Sequence, residues 1–435
     1  MEANLSVFFN KIIRLGLNLG LRGGSLLAKF ALTIYITRYI GLEAVGIFGL
    51  LQAANVIGTK VIGYGLYFVA NREMVGLPPE RQARIICDQH VIYAIGYGVV
   101  LLLTLMAWPF IPAPDVPYVL YSVALLIVAH QVLELGNSLV SLHRSLATNF
   151  MFAVTNGLWA LPPIAIGLMF PEYRTLDLVL QSWLVGALFS MLCGWFFMHG
   201  IPVETAMRQK PNWDWAKKAL RRGLPLYIAI LTMNGGMYVD RAVISGLAGM
   251  ELAGVFVMFW QFAYAVQILM QTGVLVTEYP KLIADYKQGD EAGYWRRFRR
   301  LSLRMAMAGG AACVIAAIAI EPIIYYVNKP LALEHINLFY CMLLAFWIRF
   351  QADVSNYALY ARHQDKALGI SYFVNLVVAS VSNLLFVSLW GLDGAAVAFV
   401  FTAVALTGFQ GWLLWSKRKE RPSAHIDEGE LEQPL

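Results

Sequence analysis

Gly41-Leu42-Glu43-Ala44-Val45-Gly46-Ile47-Phe48 returns 208 residues later as Gly249-Met250-Glu251-Leu252-Ala253-Gly254-Val255-Phe256. Each copy sits in a short turn between two long apolar runs, so the chain reads as two like halves built from such runs. The composition agrees. Of 435 residues, 59% are hydrophobic and 14% charged, against about 25% charged in ordinary soluble domains. That excludes a soluble enzyme, whose surface needs more charge, and a disordered chain, whose bias is the reverse. Cys87, Cys193, Cys313 and Cys341 lack paired spacing, which excludes a disulfide scaffold. The remaining class is all-α and polytopic.

A helix needs about 20 mostly apolar residues to cross a bilayer. Twelve stretches qualify: 17–40, 44–70, 89–111, 118–140, 150–170, 178–199, 223–247, 252–277, 301–326, 335–358, 367–390 and 394–416. They run continuously and do not alternate with period two, so a barrel is disfavoured. Lys11 and Arg14 lead directly into the first stretch, which is expected to be retained rather than cleaved. Pro162-Pro163 predicts a kink in the fifth stretch. Gly23-Gly24 and Gly235-Gly236, at matching depths, predict close helix packing.

Lysine and arginine orient the bundle. With the N-terminus inside, the inner segments hold 25 of the 33 basic residues, in groups such as Arg208 to Arg222 and Lys281 to Arg304. The outer segments hold only Arg38, Arg174 and Lys329. Both termini are therefore expected in the cytoplasm. The net charge of +6 needs no nucleic-acid partner, because these residues face anionic membrane lipids. The longest inner segment divides the chain: a six-helix lobe at 1–200, a cytoplasmic linker at 201–222, a second six-helix lobe at 223–416 and a cytoplasmic tail at 417–435. Within the linker, Trp213 to Arg222 reads as a short amphipathic helix in the interface. An even number of spans per half makes the repeat parallel, with a substrate site expected between the lobes.

Charge inside a span is expensive and points to function by default. Arg22 and Lys29 are two turns apart on one face of the first span. Lys60 lies in the second, Arg241 in the seventh with Asn234 seven residues before it, and Arg349 in the tenth. Five cations at several depths fit an anionic substrate. Each has a bland competitor. Arg22 can snorkel; Asp240 and Arg241 can each pair with another helix; Arg349 and Asp353, four apart, can pair on their own. On the acidic side, His130, Glu134 and Asn137 form a stripe along the fourth span. Glu134 is a counter-ion for Arg22 or Lys60, or else a coupling-proton site, and His130 is expected to hydrogen-bond a neighbour. No phosphate-binding loop, zinc motif or paired-cysteine motif is present, so no cofactor is expected. The outer loops are too short to carry an active site. Carriage, not covalent chemistry, is the reading.

Gly223-Leu224-Pro225-Leu226, Tyr238-Val239-Asp240-Arg241-Ala242-Val243-Ile244 and Gly254-Val255-Phe256 resemble the start of the second half in bacterial polysaccharide repeat-unit flippases. These are the O-antigen and exopolysaccharide exporters of the multidrug/oligosaccharidyl-lipid/polysaccharide superfamily. Thr37 to Phe48 resembles their first outer turn, and Gly391 to Ala396 their last. The resemblance implies two six-helix lobes around a central cationic cavity that opens alternately to each side of the inner membrane. It implies a polyprenyl-diphosphate-linked glycan as cargo, with a polysaccharide polymerase and a chain-length regulator as partners. The family's Asp-Arg pair falls on Asp240 and Arg241, and its first-helix cations would fall on Arg22 and Lys29 by depth. A multidrug or cation antiporter of the same superfamily is the alternative. A membrane polymerase or glycosyltransferase stands further behind.

Reporter fusions check the topology. Fusions at Pro114, Glu172 and Asp393 should read as periplasmic, and those at Lys210, Gln288 and His425 as cytoplasmic. One inversion in mid-chain would contradict two sets of six spans.

Overall fold

The computed structural model describes residues 20, 21 and 23–419. No strand occurs among them, as lipid requires of a chain that cannot close a barrel. The first half comprises α1 (23–40), α2 (Leu42–Gly63), α3 (Leu66–Met74), α4 (Pro79–Ala107), α5 (Val116–Ser141), α6 (Ser145–Asn156), α7 (Leu161–Met169) and α8 (Leu176–Phe197). After the short α9 (Val203–Met207) come α10 (Trp213–Leu247), α11 (Met250–Met270), α12 (Val276–Lys287), α13 (Glu291–Val327), the short α14 (Pro330–Glu334), α15 (Ile336–Ala361) and α16 (Asp365–Ser416).

Nine helices among the described residues are long and apolar enough to cross a membrane. Two more crossings come from α1 and α10. The last comes from α16, which reverses at Gly391 (φ 58°, ψ −133°). Ser382 there meets Thr402 at 3.1 Å and Gln410 donates to Ser371 at 3.1 Å, so its two arms lie antiparallel. That makes twelve crossings in two lobes of six. Large apolar side chains point outward along them: Leu105 is 67% and Ile318 71% exposed.

Two local readings change. Trp213 to Arg222 is not a separate helix but the first turns of α10, which continues through Pro225 without a break. Its start is held against the first half. Trp215 Nε1 donates to Glu73 at 2.6 Å, and the Asn212 amide donates to Asp88 at 3.0 Å. The fifth crossing breaks at Gly157, before the prolines, and Pro162-Pro163 begin α7. The proline ring fits a first turn, where its missing N–H costs nothing.

The repeated octapeptides pack against each other. A Cβ on Gly46 would lie 2.3 Å from the Met250 carbonyl oxygen, and one on Gly254 would lie 1.9 Å from the Leu42 carbonyl oxygen. Met250 is the counterpart of Leu42 and Gly254 of Gly46, so the two contacts are related by a pseudo-two-fold axis between α2 and α11. Only glycine permits this backbone approach. Gln261 donates to Gln52 at 3.2 Å farther along the crossing. On the same side, the Arg38 guanidinium lies 3.9 Å from the Tyr326 ring centroid and links α1 to α13. The largest hydrophobic core is continuous across this crossing, from Val45, Phe48 and Trp183 to Val255, Phe256 and Phe339.

The lobes are therefore closed at the end opposite the basic clusters, through glycine. Gly254→Leu should penalise closure by about 1–3 kcal/mol through overpacking. With the four native cysteines replaced, a Val45→Cys reporter (Val45 is 1% exposed) should resist maleimide in the parent and react in Gly254→Leu. Equal protection in both would mean that something else closes this end.

Candidate functional site

The inner half of α2 ends at Tyr64 and Gly65, both left-handed (φ 48° and 66°). The break lets α10 approach, with the Tyr227 Cα within 3.5 Å of a Cβ built on Gly65. A narrow cavity results, lined by Lys60, Tyr67 and Glu134 from the first half and by Tyr227 and Ile230 from the second. Lys60 and Glu134 share it without forming an ion pair.

Glu134 is 2% exposed and lies between two hydrogen-bonded groups of side chains. Its Oε2 accepts from the Tyr93 hydroxyl at 2.6 Å, which accepts from Gln89 at 2.9 Å. Its Oε1 lies 3.9 Å from His130 Nε2. His130 Nδ1 meets the Tyr97 hydroxyl at 2.7 Å, and Tyr97 accepts from Gln131 Nε2 at 2.9 Å. Gln131 Oε1 faces His90 Nε2 at 3.1 Å, while His90 Nδ1 meets the Ile86 carbonyl at 2.7 Å.

Donor accounting gives this chain two consistent states. His90 Nδ1 must donate to Ile86. If His90 also carries a proton on Nε2, it donates to Gln131. Gln131 then donates to Tyr97, Tyr97 to His130 Nδ1, and the His130 Nε2–H faces an ionised Glu134. If His90 is neutral, the Gln131 amide turns over and every bond reverses. His130 Nε2 is then bare and Glu134 holds the proton. The states differ by one proton moved from His90 to Glu134, and the one step without a hydrogen bond is the 3.9 Å between His130 Nε2 and Glu134.

The second cavity lies within the C-terminal half, lined by Asp240, Trp260, Phe346, Arg349, Asn375 and Asn383 among others. Asp240 accepts the Arg241 backbone N–H at 2.7 Å. Neither Asp240 nor Arg241 forms the ion pair with another helix that the sequence suggests. Arg241, at 0% exposure, is clamped between aromatic faces instead. Its guanidinium carbon is 4.4 Å from the Tyr238 centroid and 4.2 Å from Trp260. None of its three side-chain nitrogens has a hydrogen-bond partner. Arg349 does not pair with Asp353 either. Gln267 and Gln271 donate to Asp353 at 3.2 and 3.5 Å, and Arg349 Nε is left without a partner.

The remaining sequence-selected residues scatter. Asn234 turns back on its own helix and donates to the Ile230 carbonyl at 2.8 Å. Lys29 is half-buried on α1 and lines neither cavity. Arg22 lies outside the described residues. The expected single cationic cavity is thus divided: Lys60 with Glu134 and His130 in one place, Asp240 with Arg349 in another, and Arg241 against the second cavity's wall. Lys29, Lys60, Arg241 and Arg349 take part in no ion pair among the described residues. The relay of His90, Tyr93, Tyr97 and Gln131 was not singled out from the sequence. Its signal was His90, Tyr93 and Tyr97 recurring at three and four residues along the middle of α4 (Pro79–Ala107).

A buried cation held in no direct ion pair gains little from its charge, and replacing it by an apolar side chain of like volume is often neutral or stabilising. Arg241→Met should therefore leave the detergent melting temperature unchanged or raised. Trp260→Ala opens a cavity and strips the clamp, for a loss of about 3–5 kcal/mol. Arg241→Met falling as far as Trp260→Ala would make Arg241 a structural residue.

No family model and no curated sequence matches the chain. Solved structures do. The lipid II flippase MurJ in an inward-closed conformation aligns with a TM-score of 0.70 at 12% identity, covering 92% of this chain and 87% of that one. A MATE-family multidrug resistance transporter of the MOP superfamily, inward-facing, gives 0.68 at 14% identity over 94% and 98%. An outward-facing structure of a transporter of that family gives 0.53 at 17% identity over 94% and 95%. The chain has the fold of these membrane transporters.

Proposed function

We propose that this chain is a flippase that carries a polyprenyl-diphosphate-linked oligosaccharide across the bacterial inner membrane by alternating access, for surface or exported polysaccharide synthesis. The observation that carries this reading is the set of span cations that, among the described residues, stand in no ion pair: Lys29, Lys60, Arg241 and Arg349. Burying a diphosphate without partners is very costly. Cations held in no ion pair supply those partners without first breaking one.

In this account the lobes at 1–200 and 223–416, joined by 201–222, rock about the α2–α11 crossing. The glycine-closed end faces the periplasm and the basic end, with both termini and the 417–435 tail, faces the cytoplasm. Lys60, with Lys29 and Arg22 of the first apolar stretch, receives the diphosphate; Arg349 and Arg241 take it during passage. The prenyl tail stays in lipid. A polymerase and a chain-length regulator would act on the delivered glycan. The His90-to-Glu134 relay supplies a proton as the coupling ion.

A multidrug or cation antiporter is the second reading, favoured by one observation: Glu134 and Asp240 are buried carboxylates that border cavities. Gene deletion separates the two. For the flippase, lipid-linked repeat units should accumulate on the cytoplasmic side and exported polysaccharide should disappear. Lys29→Ala or Lys60→Ala should fail to restore export at normal membrane abundance, while Lys29→Arg restores part of it. Glu134→Gln and Gln131→Leu should stop gradient-driven transport yet keep cargo binding. Raised drug sensitivity with normal polysaccharide would move the antiporter ahead.

A further inference from the structure

Apart from both cavities, the basic ends of α12 and α13 enclose a pocket of about 210 Å³ lined by Glu278, Lys281, Arg297, Arg300, Leu301 and Arg304. Arg297, Arg300 and Arg304 follow at three and four residues and share one helix face. Two carboxylates fix the cations. Glu278 Oε1 accepts from Lys281 at 3.0 Å and from Arg304 at 3.1 Å. Asp285 takes Arg297 by two bonds, the longer 3.1 Å. Four cations against two carboxylates leave a charge of +2. Arg300 is exposed, and no hydrogen bond or ion pair engages it among the described residues.

The pocket's place along α13 fits a headgroup layer. Leu301, buried at 1%, floors the pocket where the apolar run of α13 begins. Trp295 lies two turns back, beside the Arg418 guanidinium at 5.1 Å, as aromatic and basic residues do at a headgroup layer. A topology signal needs only charge; it does not need cations held by carboxylates around a hollow. A site for phosphate does, because fixed guanidinium donors bind it at less ordering cost.

We propose that this pocket binds the phosphate of an anionic phospholipid headgroup, in the leaflet at the basic end of the bundle. The site does not depend on which cargo the transporter carries. The test uses the full chain, delipidated in neutral detergent and titrated with phosphatidylglycerol, phosphatidylcholine or inorganic phosphate, with thermal unfolding as readout. Phosphatidylglycerol should raise the melting temperature saturably and phosphatidylcholine should not. Arg300→Ala should weaken the apparent affinity about fivefold. Arg299→Ala removes the same charge from a residue outside the pocket and should stay within about twofold. Equal losses from both variants would show diffuse surface charge and overturn the site. Inorganic phosphate acting as well as phosphatidylglycerol at equal concentration would overturn its assignment to lipid.

Discussion

A positive charge inside a membrane helix must be answered by something, and among the described residues Lys29, Lys60, Arg241 and Arg349 are answered by no ion pair. Insertion scales place the cost of an arginine or lysine at mid-helix near ~3 kcal/mol. A desolvated cation–π contact returns about 2 kcal/mol or more, and Arg241 has two such contacts, with Tyr238 and Trp260. Its clamp therefore offsets most or all of the cost. No aromatic face is recorded over Lys29, Lys60 or Arg349 among the described residues. Their cost is one that an anionic cargo would relieve. The placement of the cavities follows: one where broken α2 meets α10, one where α16 doubles back beside Asp240 and Arg349.

The second constraint is mechanical. Two lobes can rock only if their contact at each end can form and release. At the closed end the contact is backbone on backbone, with Gly46 and Gly254 removing the side chains that would hold α2 and α11 apart. Such a contact is close-packed but carries few polar bonds, Gln52–Gln261 being one. At the basic end α10 is tied to the first half by Trp215–Glu73, Asn212–Asp88 and the pair Arg222–Glu73 at 3.6 Å. The bonds there are polar and partly exposed, beside a buried apolar cluster of Leu66, Ile92 and Tyr93 with Ala216 and Ala219.

The helical crossings were legible because each must be about 20 apolar residues long and charge must stay at its ends. The octapeptide repeat was legible as a repeat; that its copies touch was not, since sequence carries no distance between α2 and α11. Spacing suggested Arg349–Asp353, but Gln267 and Gln271 on the neighbouring helix reach Asp353 instead. Arg241 was found by its charge, while its partner Trp260 was hidden among many aromatic residues of α11. Glu134 and His130 were found as a stripe on one helix. The other members of their relay come mainly from α4, and nothing local ties Tyr93 to Glu134, 41 positions apart. Helix-internal patterns were readable; partners across helices were not.

The central claim is that unpaired interior cations select an anionic lipid-linked cargo. The most direct measurement is equilibrium binding to the purified chain of a polyprenyl-diphosphate oligosaccharide and of a neutral glycolipid with the same sugar and a similar tail. The account predicts at least about tenfold tighter binding of the diphosphate form, the factor that corresponds to ~1.4 kcal/mol. It also predicts no displacement by a lipophilic cation. Equal affinity for the neutral glycolipid, or competition by the cation, would contradict it.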